Sequence, residues 1–316
     1  MNAARVLVTP RSLTASPHPA VGAIDAAGYG IVYSSPGVLP GEAELLRLVP
    51  GCIGWIVGVE PVSEAVIRAA TALRSISRNG VGVDNLPVAL LRERGIHVAT
   101  AGGANASGVA ELTLGLMLSA LRHIPATDAG IKAGGWPRLR GRELGGRTVG
   151  IIGFGAIGRR VGELALAFGA TVIAYDPMRG DAVPGARFRW ATVSELLTES
   201  DIVTLHCPPL PGGVPLIDGA ALSHMRDGAI LVNAARGLLI DEPAVCDALE
   251  TGRLGGYAAD AFAHEPPQSR ALVGHPRVIA TSHIGAFTDE SVARATVGAV
   301  ENLLAALALS DVDAQN

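Results

Sequence analysis

Apolar residues along this chain fall in short blocks, rich in β-branched side chains and closed off by Gly or Pro. That pattern suits strands buried on both faces of a sheet. In the first third such blocks stand at Arg5 to Thr9, Ile31 to Tyr33, Ile53 to Val57 and Leu73 to Ser77, and segments of helical spacing such as Ser63 to Ala70 lie between them. The alternation predicts βαβ units, hence a parallel sheet with helices on both faces.

Asn105 to Arg122 reads as one long, mostly apolar helix, and the Gly- and Arg-rich stretch from Gly134 to Arg147 as an exposed approach to a second α/β unit. Strands are expected there at Thr148 to Ile152, Thr171 to Tyr175, Ile202 to Leu205, Ala229 to Asn233, Gly255 to Asp260 and Arg277 to Ala280, followed by a final helix from about Asp289 to Leu307. No solenoid repeat or low-complexity tract interrupts the pattern.

Composition narrows the class. A chain of 316 residues has length for two domains of about 150 residues each. The longest apolar stretch noted, Gly108 to Leu121, carries Glu111 and is shorter than the roughly 20 apolar residues of a spanning helix, so no membrane partner is expected. The opening Met-Asn-Ala-Ala-Arg runs straight into Val6-Leu7-Val8-Thr9, without the parts of a secretory signal. Cys52, Cys207 and Cys246 are an odd number without close spacing, which argues against a disulfide framework or a metal cluster and favours a reducing cytoplasm. The net charge of −4 is spread without a basic block, so nucleic acid is not an expected partner.

Gly153-Phe154-Gly155-Ala156-Ile157-Gly158 follows a predicted strand and opens a predicted helix. Glycines so placed allow a tight turn, approach of the backbone to a pyrophosphate and close packing of helix on strand, while the helix N-terminus offers N–H donors to phosphate. The motif alone also fits S-adenosylmethionine or flavin sites. The next strand ends at Asp176, 18 residues past the third Gly, near the spacing of about 20 for the acid that accepts from a ribose hydroxyl. NAD is thereby favoured over NADP, although Arg179 close by is a residue type that accommodates a 2′-phosphate.

A dehydrogenase also needs a proton carrier and a cation for its substrate. Arg236 lies in Asn233-Ala234-Ala235-Arg236-Gly237 after one strand, Glu265 after the next, and His283 after the last. A guanidinium can grip a carboxylate through two parallel hydrogen bonds. A carboxylate on the far nitrogen of an imidazole fixes its tautomer and favours the imidazolium. Taken singly, a surface ion pair, a solvated loop acid and a polar loop histidine are plainer explanations of the three.

Several segments in order resemble the D-isomer-specific 2-hydroxyacid dehydrogenases, the phosphoglycerate dehydrogenase-like branch in particular. They are Val8-Thr9-Pro10-Arg11, Ser77 to Asn85, Asn105 to Glu111, Gly135-Trp136, the glycine loop with Asp176, His206-Cys207-Pro208 and the three strand-end segments. The resemblance implies two Rossmann-like, doubly wound parallel-sheet domains with a cleft between them: a discontinuous substrate domain of residues 1–100 plus 286–316, and an NAD-binding domain of residues 101–285. It implies that Arg236 orients a 2-keto acid, that His283 is the acid/base and that Glu265 is its partner. Val81 and Gly82 would bind the substrate carboxylate through their backbone, Cys207 and Pro208 would lie on the cofactor side, and Ala234 and Asp260 along its nicotinamide half. The helix after Asn105 would help form a homodimer.

Where phosphoglycerate dehydrogenases often place an Arg-Ser pair for the phosphate, this chain has Val57-Gly58-Val59-Glu60, which turns the expectation away from a phosphorylated substrate. The expected activity is reversible reduction of a small 2-keto acid by NADH. Hydroxypyruvate or glyoxylate reduction and phosphonate or formate oxidation are alternatives on the same fold. A non-catalytic NAD(H)-sensing scaffold, similar to the C-terminal-binding protein corepressors, is the alternative from another class.

Overall fold

The computed structural model describes residues 4–180, 182–183 and 185–313. In chain order the first elements are β1 (Arg5–Val8), α1 (Arg11–Ala15), α2 (Gly22–Ala26), β2 (Gly30–Tyr33), α3 (Glu42–Leu48), β3 (Cys52–Val57), α4 (Glu64–Ala69), β4 (Ser75–Arg78), α5 (Val88–Glu93) and β5 (His97–Thr100). Then follow α6 (Ala106–Arg122), α7 (Ile124–Lys132), β6 (Thr148–Ile152), α8 (Ala156–Ala167), β7 (Thr171–Tyr175), β8 (Phe188–Trp190), α9 (Val193–Glu199) and β9 (Ile202–Leu205). The chain continues through α10 (Gly219–His224), β10 (Ala229–Asn233), α11 (Glu242–Glu250), β11 (Leu254–Ala259), α12 (Arg270–Val273), β12 (Val278–Ala280) and α13 (Asp289–Asp313). Two compact units result, Met1–Asn105 with Asp289–Asn316, and Ala106–Thr288. Their changeovers coincide with the starts of α6 and α13, a few residues beyond the expected 100 and 285.

The first unit is a five-stranded parallel sheet of order β2-β1-β3-β4-β5. Alternate residues of β1 face opposite ways: Leu7 joins Trp55, Val66, Ile67 and Leu91 in one core, whereas Val6 and Val8 join Ile24, Ile56, Leu303 and Leu307 in the other. Over Asp289–Leu309, α13 is long and apolar enough to span a membrane by length and mean hydropathy, a longer stretch than the one noted above. Its residues Ala299, Val300, Leu303 and Leu307 are buried in the second of those cores. Gly54 lets it come close, because a Cβ there would stand 3.2 Å from both Leu303 and Leu307 methyls.

The second unit is a seven-stranded parallel sheet, β12-β11-β10-β9-β6-β7-β8. Interior strand β10 is buried throughout, Leu231 in one core and Ile230 and Val232 in the other. Burying one such side chain contributes about 1.5–3 kcal/mol, so the β-branched runs supply most of the drive to form this sheet. Sequence patterning missed β5, β8 and α7. β8 is a three-residue edge strand, and α7 buries none of its residues, so neither shows a periodic apolar signature.

Candidate active site

In a doubly wound sheet, strands leave the chain's starting strand in both directions, and the carboxyl edge opens where they part. In the second unit that point lies between β6 and β9. Gly153, directly after β6, has φ +92° and sits so close to β9's exit that a Cβ would stand 2.5 Å from the His206 carbonyl carbon. Gly158 is equally constrained, since its Cβ would lie 2.0 Å from the Gly153 oxygen. Gly155 differs: it is the N-cap of α8, and a Cβ there meets nothing within 4 Å. Two glycines are thus demanded by packing and the third faces open space above a helix N-terminus flanked by Ala156 and Ile157. That is the arrangement a pyrophosphate requires, and the residues present fit NAD.

Asp176 follows β7, its Oδ2 accepting from the Phe154 N–H at 2.7 Å and its Oδ1 from the Met178 N–H at 2.8 Å. The acid therefore also ties down the glycine loop. Arg179 lies over the Trp190 ring, 6.0 Å from its centroid. The His206 ring is enclosed, and burial pushes its pKa down to about 3. Its Nε2 lies 3.0 Å from the Thr204 hydroxyl, while Nδ1 has no partner among the described residues. Cys207 beside it is half-buried, and burial raises its thiol pKa, so it stays a thiol.

Glu265 and His283 meet. Nδ1 of His283 lies 2.9 Å from each carboxylate oxygen of Glu265, and both side chains are close to half exposed. The pairing occupies Nδ1 and leaves Nε2 as the nitrogen turned to other chemistry. Arg236 reaches the same region through its backbone: a Cβ on Gly237 would lie 1.9 Å from the Phe262 carbonyl carbon, so the Arg236 loop and the Glu265 loop pack main chain on main chain. The Asn233 amide shapes the Arg236 turn, donating to the Arg236 carbonyl at 2.9 Å and accepting from the Ala235 N–H at 3.1 Å around half-buried Ala234. Glu242 accepts from the Ala263 N–H at 3.0 Å and Glu265 from the Phe262 N–H at 3.2 Å.

His283 has φ +56°, in the left-handed region. Its turn is held by Asp260, which is 2% exposed. Oδ1 accepts from the Thr281 hydroxyl at 2.6 Å and the Ile284 N–H at 2.9 Å, and Oδ2 from the Gly285 N–H at 2.8 Å. A hydrogen bond to a charged acceptor is worth about 1.5–3 kcal/mol, so three of them outweigh the roughly 1–2 kcal/mol that one left-handed non-glycine residue costs.

Val81 and Gly82 belong to the first unit. Buried Arg78 shapes their loop, donating from Nε to the Gly82 carbonyl at 2.9 Å and from Nη1 to the Asn79 carbonyl. Among the described residues neither the Val81 nor the Gly82 N–H donates to a protein acceptor. In the same unit Glu60 is fully buried, and its carboxylate accepts from the Gly58 N–H at 2.9 Å and from the Thr9 hydroxyl. Sequence reasoning did not single out Gly237, Asn233, Glu242, Thr281 or Arg78. Only the Gly after Arg236 carried a local signal.

A glycine loop at the opening of a Rossmann-type sheet, an acid at the next strand end and a carboxylate-paired histidine define a nicotinamide-dinucleotide dehydrogenase. Residues 114–285 match the family described as D-isomer specific 2-hydroxyacid dehydrogenase, NAD binding domain. Hydroxypyruvate reductase of Thermotoga maritima is 38% identical over 84% of this chain and 88% of its own length. D-3-phosphoglycerate dehydrogenase of Methanocaldococcus jannaschii is 43% identical over 73% of this chain but only 45% of its own length, so the chain spans about half of that relative. The crystal structure of a glyoxylate reductase from Paecilomyes thermophila superposes with TM-score 0.85 at 27% identity, covering 97% of this chain and 96% of that one. The chain belongs to the D-isomer-specific 2-hydroxyacid dehydrogenase family and is an NAD-dependent oxidoreductase.

The three glycines should separate in experiment. Gly155→Ala is expected to leave the thermal midpoint nearly unchanged and to weaken NADH binding at least about ten-fold, or about 1.4 kcal/mol, in a fluorescence titration. Gly158→Ala should lower the midpoint itself, because backbone must move to admit the methyl. Equal destabilisation by both would remove Gly155 from phosphate binding.

Proposed function

We propose that this protein reduces a small, unphosphorylated 2-keto acid reversibly to the D-2-hydroxy acid with NADH. The paired Glu265 carboxylate and His283 imidazole, 2.9 Å apart, carry the reading. NADH, when bound, supplies the hydride that the carbonyl carbon takes up. His283 passes a proton from Nε2 to the carbonyl oxygen as the C=O bond becomes C–OH, and takes it back in alcohol oxidation. Glu265 holds Nδ1, so the ring keeps one orientation through both directions. Arg236 grips the substrate carboxylate in a two-pronged contact and polarises the neighbouring carbonyl. The Val81 and Gly82 N–H groups offer further donors of the kind a carboxylate takes.

His283→Ala is expected to lower turnover by about 10²- to 10⁴-fold, the range for a lost general acid, with NADH affinity kept. Near-full activity of the folded variant would end the assignment. Arg236→Lys should damage KM and kcat for the keto acid more than NADH binding, since lysine lacks the planar fork. Any turnover on a 2-keto acid also separates this function from a non-catalytic NAD(H)-sensing scaffold.

A substrate preference is proposed from Val57-Gly58-Val59-Glu60, which carries no cation where phosphoglycerate dehydrogenases often place an Arg-Ser pair. At the carboxyl end of β3 the chain buries a carboxylate that has no ion-pair partner among the described residues. With no cation in that stretch to offset a phosphate, hydroxypyruvate or glyoxylate should exceed a phosphorylated 2-keto acid in kcat/KM by at least about ten-fold, equivalent to about 1.4 kcal/mol. A panel followed by NADH absorbance measures this. A phosphorylated substrate favoured in that panel would overturn the preference.

The enzyme is proposed to work as a cytoplasmic homodimer, without nucleic acid or membrane partners. The described cysteines are free thiols, which suits a reducing compartment. Ile124 and Ile131 on α7, with Trp136 and Leu139 beyond it, are exposed, Trp136 at 79%, an apolar run that pairing would cover. Sedimentation should give twice the chain mass, and Ile131→Glu with Trp136→Glu should shift it toward monomer. A wild-type monomer at micromolar concentration would remove the pairing.

A further inference from the structure

We infer that Glu242 is a positioning residue for the acid/base pair: by fixing the peptide between Phe262 and Ala263 it holds Glu265, and through Glu265 the imidazole of His283. The inference rests on the roles given to Glu265 and His283 above. The segment that leaves β10 turns at Arg236, passes through one 3₁₀ turn (Gly237–Leu239) and enters α11 at Glu242. It grips one peptide of the Glu265 loop at two points. A Cβ on Gly237 would stand 1.9 Å from the Phe262 carbonyl carbon and 2.1 Å from the Ala263 nitrogen, so main chain is seated directly on that peptide. From the other end of the segment, Oε1 of Glu242 accepts the N–H of the same peptide, the Ala263 amide, at 3.0 Å.

The platform that carries Glu242 is firm. Asp241 caps α11, its side chain accepting from the Ala244 N–H at 3.1 Å, and its own N–H donates to the Ile217 carbonyl at 3.0 Å, while Val245, Ala248 and Leu249 are buried. A carboxylate in the first turn lies at the positive end of its helix, which favours the anion, and an N–H given to an anion forms a bond roughly twice as strong as one between neutral groups. The loop it holds has few other ties. Over residues 261–269, among the described residues, only the Phe262 and Ala263 amides donate to a protein acceptor. The Phe262 N–H goes to Glu265 itself at 3.2 Å, so it joins the loop only to its own side chain. The Ala263 N–H is the one that joins the loop to another element. Glu265 Oε1 therefore takes its place from a donor whose neighbouring peptide Glu242 holds. Without that hold the peptide can turn, the Phe262 donor moves with it, and the carboxylate shifts that faces Nδ1 of His283 at 2.9 Å.

Glu242→Ala removes the acceptor, and Glu242→Asp keeps the charge but draws it back by one methylene, so both lose the contact. Glu242→Gln keeps an oxygen acceptor at full reach. The first two are expected to lower kcat by about 5- to 20-fold, a part of what a misplaced catalytic group costs. In both, KM for the 2-keto acid and the NADH dissociation constant should stay within about two-fold of wild type, with a larger solvent deuterium isotope effect on kcat. Glu242→Gln should bring kcat back to within about three-fold of wild type, and adding Glu242→Ala to Glu265→Gln should cost less than about two-fold more, because the effect then has no further route. Unchanged kcat in folded Glu242→Ala and Glu242→Asp overturns the inference, as do equal losses in all three variants or a full additional loss on top of Glu265→Gln. Glu242→Asp carries the test if Glu242→Ala does not fold. His283→Ala run alongside distinguishes the two levels. If it retains activity, the acid/base role itself falls, whereas an inactive His283→Ala beside unaffected Glu242→Ala and Glu242→Asp rejects the positioning role alone.

Discussion

A parallel sheet sends the carboxyl end of every strand to the same edge, and the order of the strands decides where that edge parts to admit a ligand. In the second unit the parting falls between β6 and β9, and main chain meets main chain there at a distance that only a glycine permits. The rest of the chemistry is hung from the same edge: Asp176 after β7, Arg236 after β10, Glu265 after β11 and His283 after β12. Residues scattered over more than a hundred positions come to one edge because each lies just past a strand of one sheet.

That constraint explains what was legible beforehand. Strands with dense β-branched cores, β6, β7, β9 and β10, are bounded as expected because their hydrophobic runs are also their buried runs. β5 reads His-Val-Ala-Thr and is at most half-buried, so its apolar content is too thin to stand out. Arg236, Glu265 and His283 were identifiable as strand-end residues. That His283 touches both oxygens of Glu265 across 18 residues was not, since sequence spacing says nothing about how two loops fold over one another. Gly237 shows the limit most clearly, because its reason for being glycine is the backbone of Phe262, 25 residues away.

The first unit follows the same rule with different contents. Its order β2-β1-β3-β4-β5 places the parting between β1 and β3, the position where flavodoxin-like sheets bind their ligands. Here Thr9 and Glu60 meet at that point, and the Trp55 indole donates to the Thr9 hydroxyl at 2.8 Å. A buried polar network occupies a place that topology makes available.

Exposure divides the polar residues of the second unit into two sets. Glu265 and His283 are close to half exposed, while Asn233 and Asp260 are buried and spend their hydrogen bonds on backbone around Arg236 and His283. An exposed side chain held by one contact samples several orientations, and solvent weakens what that contact can enforce. A buried acceptor that binds main chain loses neither its direction nor its strength to water. The main chain that bears His283 is therefore held from beneath by buried Asp260, as the Arg236 turn is by buried Asn233.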